Sequence, residues 1–438
     1  MVDELDLTIP TLGEPTVPSP LDLSTVPDDG VADYTPRGAR VVFDPSGAIT
    51  NRFFEAAGPR QLNFFKGEDV AAGIVTCGGL SPGMNNVIRG LVLQLWHAYG
   101  VRRILGFRYG FAGMTSDTDT KPMMLTHDDV KDIHLMGGTI LGSSRGPQKA
   151  SVMVDNLQRL GVNMLFCIGG DGTMRGTLAI YEEVKRRGEQ IAVIGVPKTI
   201  DNDLPFIERT FGFDTAVSIA ADAIRAAHVE AVGAARGVGL VRLMGRHSGF
   251  IAASATLASR EVNLVLVPEL PFDLQGEHGI LEYIRWRLRN RGHCVVVAAE
   301  GAGQRHVPHE EARDASGNVK LADIGTFLRD TIKRELKAEG LSLKYIDPSY
   351  IIRAAPANAA DAVFCGQLSE DAVHAGMAGK TGLVIGLWLN RFTHVPLTAA
   401  TSGTKRISLD SALWRNVVDA TGQPKLLTGG APEAHRAD

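Results

Sequence analysis

Continuous apolar runs alternate with longer amphipathic stretches along most of this chain, beginning at about residue 69. The runs are rich in β-branched residues, and glycine, proline or polar residues follow them. They predict strands buried on both faces at 71–77, 163–168, 191–196, 238–244, 262–268 and 293–300. Alanine-rich stretches predict helices at 214–231, 323–338 and 359–377. This alternation predicts an α/β fold of mainly parallel sheets covered by helices, with ligands at the carboxyl ends of the strands.

The length of 438 residues exceeds what one hydrophobic core usually holds, so two domains or lobes are expected. Residues 1–36 contain eight acidic residues, six prolines and no lysine or arginine. Such a composition without sustained periodicity predicts an extended arm or a disordered segment. Residues 421–438 are expected to form a flexible tail.

The composition is that of an ordinary globular protein, with 44% hydrophobic and 21% charged residues. A net charge of −4 gives no support to a nucleic-acid or membrane partner. No apolar stretch has the ~18 residues of a membrane span, and the acidic start does not resemble a secretory signal. The widely spaced Cys77, Cys167, Cys294 and Cys365 predict buried free thiols in a reducing compartment. A cytoplasmic protein is therefore expected.

The string GGDGT at residues 169–173 follows one of the predicted strands and begins a predicted helix. Gly170 and Gly172 flank Asp171, so that little crowds its carboxylate. Mg²⁺ prefers one or two carboxylates with water and substrate phosphates, which suits Asp171 as a metal ligand. Thr173 could donate to a phosphate. The alternative is that Asp171 is only a helix N-cap.

The string PKTIDND at residues 197–203 places a lysine, a hydroxyl and two carboxylates after another predicted strand. Asp201 fits a base for a sugar hydroxyl, and Asp203 could orient its neighbour or the metal site. Thr199 can bind a phosphoryl oxygen, and Lys198 can stabilise developing negative charge. An Asx-rich turn would explain the Asp and Asn residues but not the whole string.

Two glycine-containing loops add candidate phosphate contacts. Gly78 belongs to the string GGLSPGMNNVIRG, in which glycines lie between a predicted strand and a helix N-terminus that favours anions. The string LGSSRG places Arg145 before Gly146, and a guanidinium in such a loop suits phosphate oxygens. A tight structural turn and a surface arginine are the competing interpretations.

Further candidates follow later strands. MGRHSG carries Met244, Gly245 and Arg246, and AAEG ends in a strand with Glu300 next to it. The segment 344–356 holds further candidates for a sugar phosphate, namely Lys344, Tyr350 and Arg353. Taken alone, each of these side chains is more often a solvated charge than a ligand.

Together, in this order over roughly residues 70–405, these strings resemble the glycolytic 6-phosphofructokinases. The similarity is greatest to the branch with plant and trypanosomatid ATP-dependent enzymes. The resemblance implies two Rossmann-like lobes with the active site between them. It implies an N-terminal extension over 1–70, a nucleotide-binding lobe of 71–212 plus 352–405, and a sugar-phosphate lobe of 213–351 plus 406–420.

The resemblance also implies roles for individual residues. Lys198, Asp201, Asp203 and Arg246 would be catalytic, with Asp201 as the base and Mg²⁺ on Asp171. ATP would contact Gly78, Arg145, Gly146 and Gly170–Thr173. Fructose 6-phosphate would contact Thr199, Ile200, Asp201, Met244, Gly245, Arg246, Glu300, Lys344, Tyr350 and Arg353. Lys344 aligns with an arginine that a neighbouring subunit contributes in shorter bacterial enzymes, which implies a homo-oligomer, either a dimer or a tetramer.

Three residues depart from those shorter enzymes. Tyr350 stands in place of a histidine, and Gly237 stands where another neighbour-subunit arginine is found, with Arg236 as a possible substitute. Lys198 resembles the pyrophosphate-dependent enzymes, but those carry aspartate at the position of Gly172. A carboxylate there would repel the α-phosphate of ATP, whereas glycine leaves room. Gly172 therefore favours ATP as the phosphoryl donor.

Three alternatives stay open at this point. A pyrophosphate-dependent phosphofructokinase would use the same acceptor with a different donor. NAD kinases and lipid kinases share a GGDGT string but lack PKTIDND and MGRHSG. A non-catalytic sugar-phosphate or nucleotide sensor could use the same fold, although it would not need the base Asp201.

Overall fold

Two mainly parallel sheets organise the chain in the computed structural model, which describes residues 5–26, 33–115, 121–308 and 319–428. The strands are β1 Val17–Pro18, β2 Arg40–Val42, β3 Phe53–Ala56, β4 Leu62–Asn63, β5 Ala71–Thr76, β6 Arg103–Phe107, β7 Met123–Met124, β8 Met164–Gly169, β9 Ala192–Pro197, β10 Gly237–Leu243, β11 Leu264–Leu266, β12 His293–Ala299, β13 Ser342–Ile346, β14 Leu383–Trp388 and β15 Arg391–Pro396. The helices are α1 Met84–Leu93, α2 His127–Val130, α3 Ala150–Arg159, α4 Asp171–Arg187, α5 Phe213–Val232, α6 Phe250–Ser259, α7 Ile280–Arg291, α8 Ile324–Glu335, α9 Ser349–Ala354, α10 Ala359–Met377, α11 Leu397–Ala400 and α12 Ala412–Thr421.

The larger sheet has nine strands in the order β2-β3-β15-β14-β9-β8-β5-β6-β7. Its centre, from β14 to β6, is parallel, and antiparallel strands extend it on both sides. Successive residues of its strands face opposite cores: Ile74 and Phe166 lie in one buried cluster, Val75 and Cys167 in another. Both faces are therefore covered, as the continuous apolar runs predicted.

The smaller sheet has the order β11-β12-β10-β13, and all of its strands are parallel. Helices including α5, α6 and α7 pack around it, and its strands contribute to a third buried cluster. The predicted α/β class with two lobes is thus confirmed.

The antiparallel edge of the larger sheet was not predicted. The hairpin of β14 and β15 turns at Leu389 and Asn390, which both have positive φ angles of 50° and 58°. This pair is not one of the glycine-containing turn sequences that indicate a hairpin. Strands β2 and β3 also join this sheet, although they lie within the predicted extension 1–70.

Both ends of the described chain pack on the rest of the protein. The segment 5–26 is extended, and the Leu12 N–H donates to the Gly379 carbonyl at 2.8 Å. At the other end, Gln423 and Leu427 are buried, and the Gln423 side chain accepts a hydrogen bond from the Val265 N–H at 2.8 Å. The packed chain therefore extends through residue 428, further than the predicted tail allows; residues 429–438 of that tail lie outside the described residues.

Candidate active site

The carboxyl ends of neighbouring strands bring the phosphate-binding strings together. Gly169 of β8 is in register with Pro197 of β9, and Thr76 of β5 with Ile168 of β8. The glycine-rich turn, GGDGT and PKTIDND therefore begin at one edge of the larger sheet. A side-chain contact joins two of them, because Lys198 Nζ donates to the Gly79 carbonyl at 2.7 Å.

Hydrogen bonds connect the turn at Gly78 to the loop that carries Arg145. The Ser143 hydroxyl donates to the Gly78 carbonyl at 2.6 Å, and the Gly78 N–H donates to the Ser144 carbonyl at 3.0 Å. Gly78 has a φ of +83°, which favours glycine. A Cβ on Gly79 would lie 3.3 Å from the Arg145 guanidinium, so this cation lies against the turn. Two predicted anion contacts are thus adjacent.

Asp171 is the first residue of α4, where the helix dipole favours a negative charge. Arg175, one turn later, donates to its carboxylate at 2.6 Å. Burial raises the pKa of Asp171, and the nearby Asp203 raises it further, while Arg175 opposes the rise. The Asp171 side chain keeps 30% of its surface exposed, so a ligand can reach it.

The glycines on either side of Asp171 differ in their surroundings. A Cβ on Gly170 would lie 3.1 Å from the Lys198 carbonyl, which explains why this position is small. A Cβ on Gly172 would meet no atom within 4 Å. Thr173 is buried behind the loop, where its Oγ1 would lie 2.1 Å from a Cβ on Gly169. The open space beside Gly172 is therefore available to a ligand.

Internal hydrogen bonds shape the loop that carries PKTIDND. The Thr199 hydroxyl donates to Asp203 Oδ1 at 2.7 Å and accepts from the Asp201 N–H at 3.3 Å. The Thr210 hydroxyl donates to the Thr199 carbonyl at 2.6 Å. Ile200 packs on the buried cluster of the smaller sheet. The loop thus spans from one sheet to the other and fixes the backbone of Asp201.

The carboxylate of Asp201 lies where the two sheets meet. Its Oδ2 accepts from the Arg246 N–H at 3.4 Å, while its buried Oδ1 has no hydrogen-bond partner among the described residues. Burial, together with the charges of Asp203 and Glu300, raises the pKa of Asp201 well above the usual carboxyl range. A buried carboxylate with a free oxygen and a raised pKa is suited to accept a proton near neutral pH.

Burial lowers the pKa of Lys198 to about 8, and the charges of Arg145 and Arg353 also act in this direction. The Lys198 side chain is almost fully buried and lies close to the glycine-rich turn. An ammonium repelled by its cationic neighbours is stabilised when an anion such as a phosphate binds beside it.

The ends of β10 and β12 supply the side of the site formed by the smaller sheet. Leu243 and Ala299 are in register, so that Met244 and Glu300 follow neighbouring strands. Gly245 has a φ of +127° and accepts from the Gly301 N–H at 3.0 Å. The Arg246 side chain donates to the Val319 carbonyl. The structure therefore brings these candidates next to the loop of Asp201.

The candidates of the 344–353 segment divide into two groups. Arg353 is close enough to Lys198 and Asp201 to influence the pKa of both. Lys344 lies on the edge strand β13 with its ammonium 3.5 Å from Glu230, and Tyr350 is 83% exposed. Within the part of the chain that the structure describes, no hydrogen bond or ion pair joins either of them to Asp171 or Asp201.

Sequence reasoning missed two residues that hold the site. Arg242 forms an ion pair with Glu300 at 2.8 Å, and the available signal was that it is the only charged residue in strand β10. Lys405 reaches the loop from distant sequence: its N–H donates to the Asp203 carbonyl at 2.7 Å and its ammonium to the Ile207 carbonyl at 2.5 Å. No motif marks Lys405.

Known proteins resemble this chain over most of its length. The family signature described as Phosphofructokinase matches residues 71–376. The ATP-dependent 6-phosphofructokinase of Borreliella burgdorferi is 44% identical, with 96% of this chain and 98% of that protein covered. The enzyme of the same name from Trypanosoma cruzi is 50% identical, with 85% of this chain and 78% of that protein covered. The ATP-dependent 6-phosphofructokinase 1 of Arabidopsis thaliana is 45% identical, over 94% of this chain and 89% of that protein.

Solved structures share the fold at much lower identity. The pyrophosphate-dependent phosphofructokinase from Nitrosospira multiformis matches with a TM-score of 0.67 at 21% identity, covering 80% of this chain and 91% of that chain. The pyrophosphate-dependent enzyme from Marinobacter aquaeolei matches with a TM-score of 0.65 at 23% identity, covering 83% and 93%. None of the described helices is long and apolar enough to span a membrane. The resemblance inferred from the sequence, including that to plant and trypanosomatid enzymes, is confirmed, and the chain belongs to the phosphofructokinase family.

Proposed function

We propose that this chain is an ATP-dependent 6-phosphofructokinase. It transfers the γ-phosphoryl group of ATP to the 1-hydroxyl of fructose 6-phosphate and releases ADP and fructose 1,6-bisphosphate. The names of relatives at 44–50% identity support the donor and the acceptor. The observation that carries the proposal is Asp201, whose buried Oδ1 has no partner among the described residues at the junction of the two sheets.

Asp201 accepts the proton of the 1-hydroxyl while that oxygen attacks the γ-phosphorus and the bond to the β-phosphate oxygen breaks. Its raised pKa suits this role, since a base is most effective when its pKa lies near the working pH. Lys198 and Arg246 stabilise the charge on the transferred group. The Lys198 pKa of about 8 leaves the ammonium mainly charged at neutral pH, and the phosphates of ATP stabilise this charge further.

The nucleotide side consists of the Gly78 turn, Arg145 with Gly146, and Gly170–Thr173. Among the described residues, no group of three His, Cys, Asp or Glu side chains is arranged to hold a metal by itself. The partly exposed Asp171 carboxylate fits Mg²⁺ nevertheless, because this ion takes one or two carboxylates and completes its shell with phosphates and water. When bound, Mg²⁺ neutralises charge on the phosphates of ATP.

The sugar-phosphate side consists of residues from both sheets. Thr199–Asp201 and Met244–Arg246 would bind the sugar beside the reacting oxygen, and Glu300 would accept hydrogen bonds from sugar hydroxyls. Arg353, with Lys344 and Tyr350, would bind the 6-phosphate. Of these, Lys344 would come from a second protomer, so we also propose a homo-oligomer, either a dimer or a tetramer. This assignment divides the chain into the lobes 71–212 plus 352–405 and 213–351 plus 406–420.

A cytoplasmic location is also proposed. The four cysteines are buried and free, which suits a reducing compartment.

A matrix of donors and acceptors tests the function. Purified enzyme is incubated with Mg²⁺ and either ATP or pyrophosphate, and with either fructose 6-phosphate or sedoheptulose 7-phosphate. We expect high turnover only with ATP and fructose 6-phosphate. Asp201→Asn is the matched control, and its kcat should fall by roughly 10²–10⁴-fold with little change in the KM for fructose 6-phosphate. Turnover with pyrophosphate but not ATP, or near-normal kcat in Asp201→Asn, would contradict the proposal.

A further inference from the structure

Arg242 is the only charged residue in β10, a strand in the interior of the smaller sheet. The other residues of this strand are buried, and only Arg242 is partly accessible. It lies next to the last residue of the strand, at the edge where α/β folds bind ligands. A guanidinium here requires partners, because burying a charge without them is costly.

The two amino groups of Arg242 bind carboxylates from two different neighbours. Nη2 donates to Glu300 at 2.8 Å, and Nη1 donates to Asp347 at 2.8 Å. The strand register explains this, because β12 ends directly before Glu300 and β13 ends directly before Asp347. Arg242 therefore joins the ends of three adjacent strands.

Asp347 in turn fixes the start of α9. Its Oδ1 accepts from both the Ser349 N–H at 3.0 Å and the Ser349 hydroxyl at 2.5 Å. Ser349 is the first residue of α9, and the same helix carries Arg353. One guanidinium thus contacts the proposed ligand of the sugar hydroxyls and the turn that orients the proposed ligand of the sugar phosphate.

We infer that Arg242 is a positioning residue for the sugar-phosphate site, which holds Glu300 and helix α9 in the arrangement that binds the sugar phosphate. The inference rests on the proposed function, since it assumes that Glu300 and Arg353 contact this substrate. Arg242 itself does not touch the reacting atoms. It acts through the orientation of Glu300 and of the residues that follow Asp347.

The planar fork of arginine suits this task better than a lysine, because it can bind two carboxylates in fixed directions. The Arg242 Nε is buried and has no hydrogen-bond partner among the described residues. Folding stability alone would not favour a buried donor without a partner. The geometry therefore indicates that Arg242 is at this position because it holds Glu300 and Asp347 in place.

Steady-state kinetics of Arg242→Gln test this inference. We expect the KM for fructose 6-phosphate to rise about tenfold, because a charged hydrogen-bonded network is lost, while the KM for ATP changes by less than about twofold. Arg289→Gln is the matched control, since Arg289 pairs with Glu339 at 2.6 Å on the surface helix α7. This control should leave both KM values unchanged.

A double-mutant cycle with Glu300→Gln separates positioning from a general loss of structure. Because Arg242 acts through both Glu300 and Asp347, Arg242→Gln should raise the KM by about threefold in the Glu300→Gln background instead of about tenfold, since residues that act together are not additive. Asp347→Asn should raise the KM for fructose 6-phosphate in the same direction. It is the substitute test if Arg242→Gln does not fold.

The outcomes are distinguishable from failure of the proposed function. A wild-type enzyme that phosphorylates no sugar phosphate with any donor overturns that function. An active wild type in which Arg242→Gln leaves the KM for fructose 6-phosphate unchanged, or in which its effect is the same with and without Glu300, overturns only the positioning role.

Discussion

At the residue scale, Gly172 is the residue that best distinguishes ATP from pyrophosphate as the phosphoryl donor. It lies in the first turn of α4 beside Asp171, and its added Cβ would meet no atom within 4 Å. A side chain there would project into space that a ligand can use. An acidic residue near the N-terminus of a helix also stabilises the helix. A substitution at this position can therefore change nucleotide binding without disturbing the fold.

We predict that Gly172→Asp weakens the use of ATP. At an effective dielectric constant of ~20, like charges ~4 Å apart repel by about 4 kcal/mol, which corresponds to roughly 10³-fold in affinity. Mg²⁺ neutralises part of the phosphate charge, so we expect the KM for ATP to rise by about tenfold to 10³-fold. Gly172→Asn is the matched control, because it adds nearly the same volume without the charge. Initial rates at varied ATP and thermal unfolding of both variants provide the measurement. ATP kinetics that are the same in the two variants and the wild type would refute the donor argument.

At the element scale, three central strands of the larger sheet were predicted, whereas its interior strands β6 and β14 and its outer antiparallel strands were not. The apolar runs at 71–77, 163–168 and 191–196 became β5, β8 and β9, since burial on both faces leaves a clear signal. The short strands β2 and β3 at one side of this sheet carry no such signal, because only part of their side chains is buried. Contacts between elements that are distant in the sequence could not be predicted either. Asp361 gave no motif, yet it joins α10 to α5 across 149 residues.

The buried carboxylate of Asp361 accepts from the Gly212 N–H, the Thr215 N–H and the Thr215 hydroxyl at 3.0, 2.7 and 2.6 Å. These donors lie at the start of α5, which follows the loop of Asp201. We predict that Asp361→Ala lowers the free energy of unfolding by about 3 kcal/mol, because two buried N–H groups lose their partner. Asp361→Asn should lose less, since its amide oxygen still accepts.

Urea unfolding followed by circular dichroism measures this effect. Asp222→Ala is the control on the same helix, because its exposed pair with Arg225 should contribute less than about 1 kcal/mol. Equal losses in Asp361→Ala and Asp222→Ala would show that Asp361 does not anchor α5.

At the scale of the whole molecule, the site depends on how the two sheets meet. Ile200 packs on the core of the smaller sheet, while the Arg246 N–H binds Asp201 from the loop after β10. The sequence motifs GGDGT, PKTIDND, MGRHSG and AAEG predicted residues that gather, because each motif lies at the end of a strand in one of the sheets. They could not predict how the loop of Asp201 is tied, since Lys405 and Thr210 act through backbone carbonyls and carry no pattern.

The exposed position of Lys344 on the edge strand β13 leads to a prediction about assembly. If one protomer supplies Asp201 and its neighbour supplies Lys344, each sugar-phosphate site needs one intact residue from each chain. A site between an Asp201→Asn chain and a Lys344→Ala chain can then contain both residues intact. Co-expression of the two variants with different tags should restore activity. In a dimer that holds one copy of each variant, one of the two shared sites combines an intact Asp201 with an intact partner Lys344, so about half of the wild-type kcat is expected; random tetramers that carry both tags should show about two sevenths.

Fructose 6-phosphate turnover is measured on oligomers purified through both tags in sequence, with each single variant as the reference. Lys333→Ala, which removes an exposed lysine on α8, should keep full activity by itself and identify nonspecific charge effects. Mixed oligomers that show only the sum of the two single-variant activities would contradict the shared site. Lys344 would then act in the site of its own chain or in no site. Each variant chain lacks one of the two residues, so a site built from a single chain is always incomplete. Restored activity therefore requires sites that combine residues from two protomers.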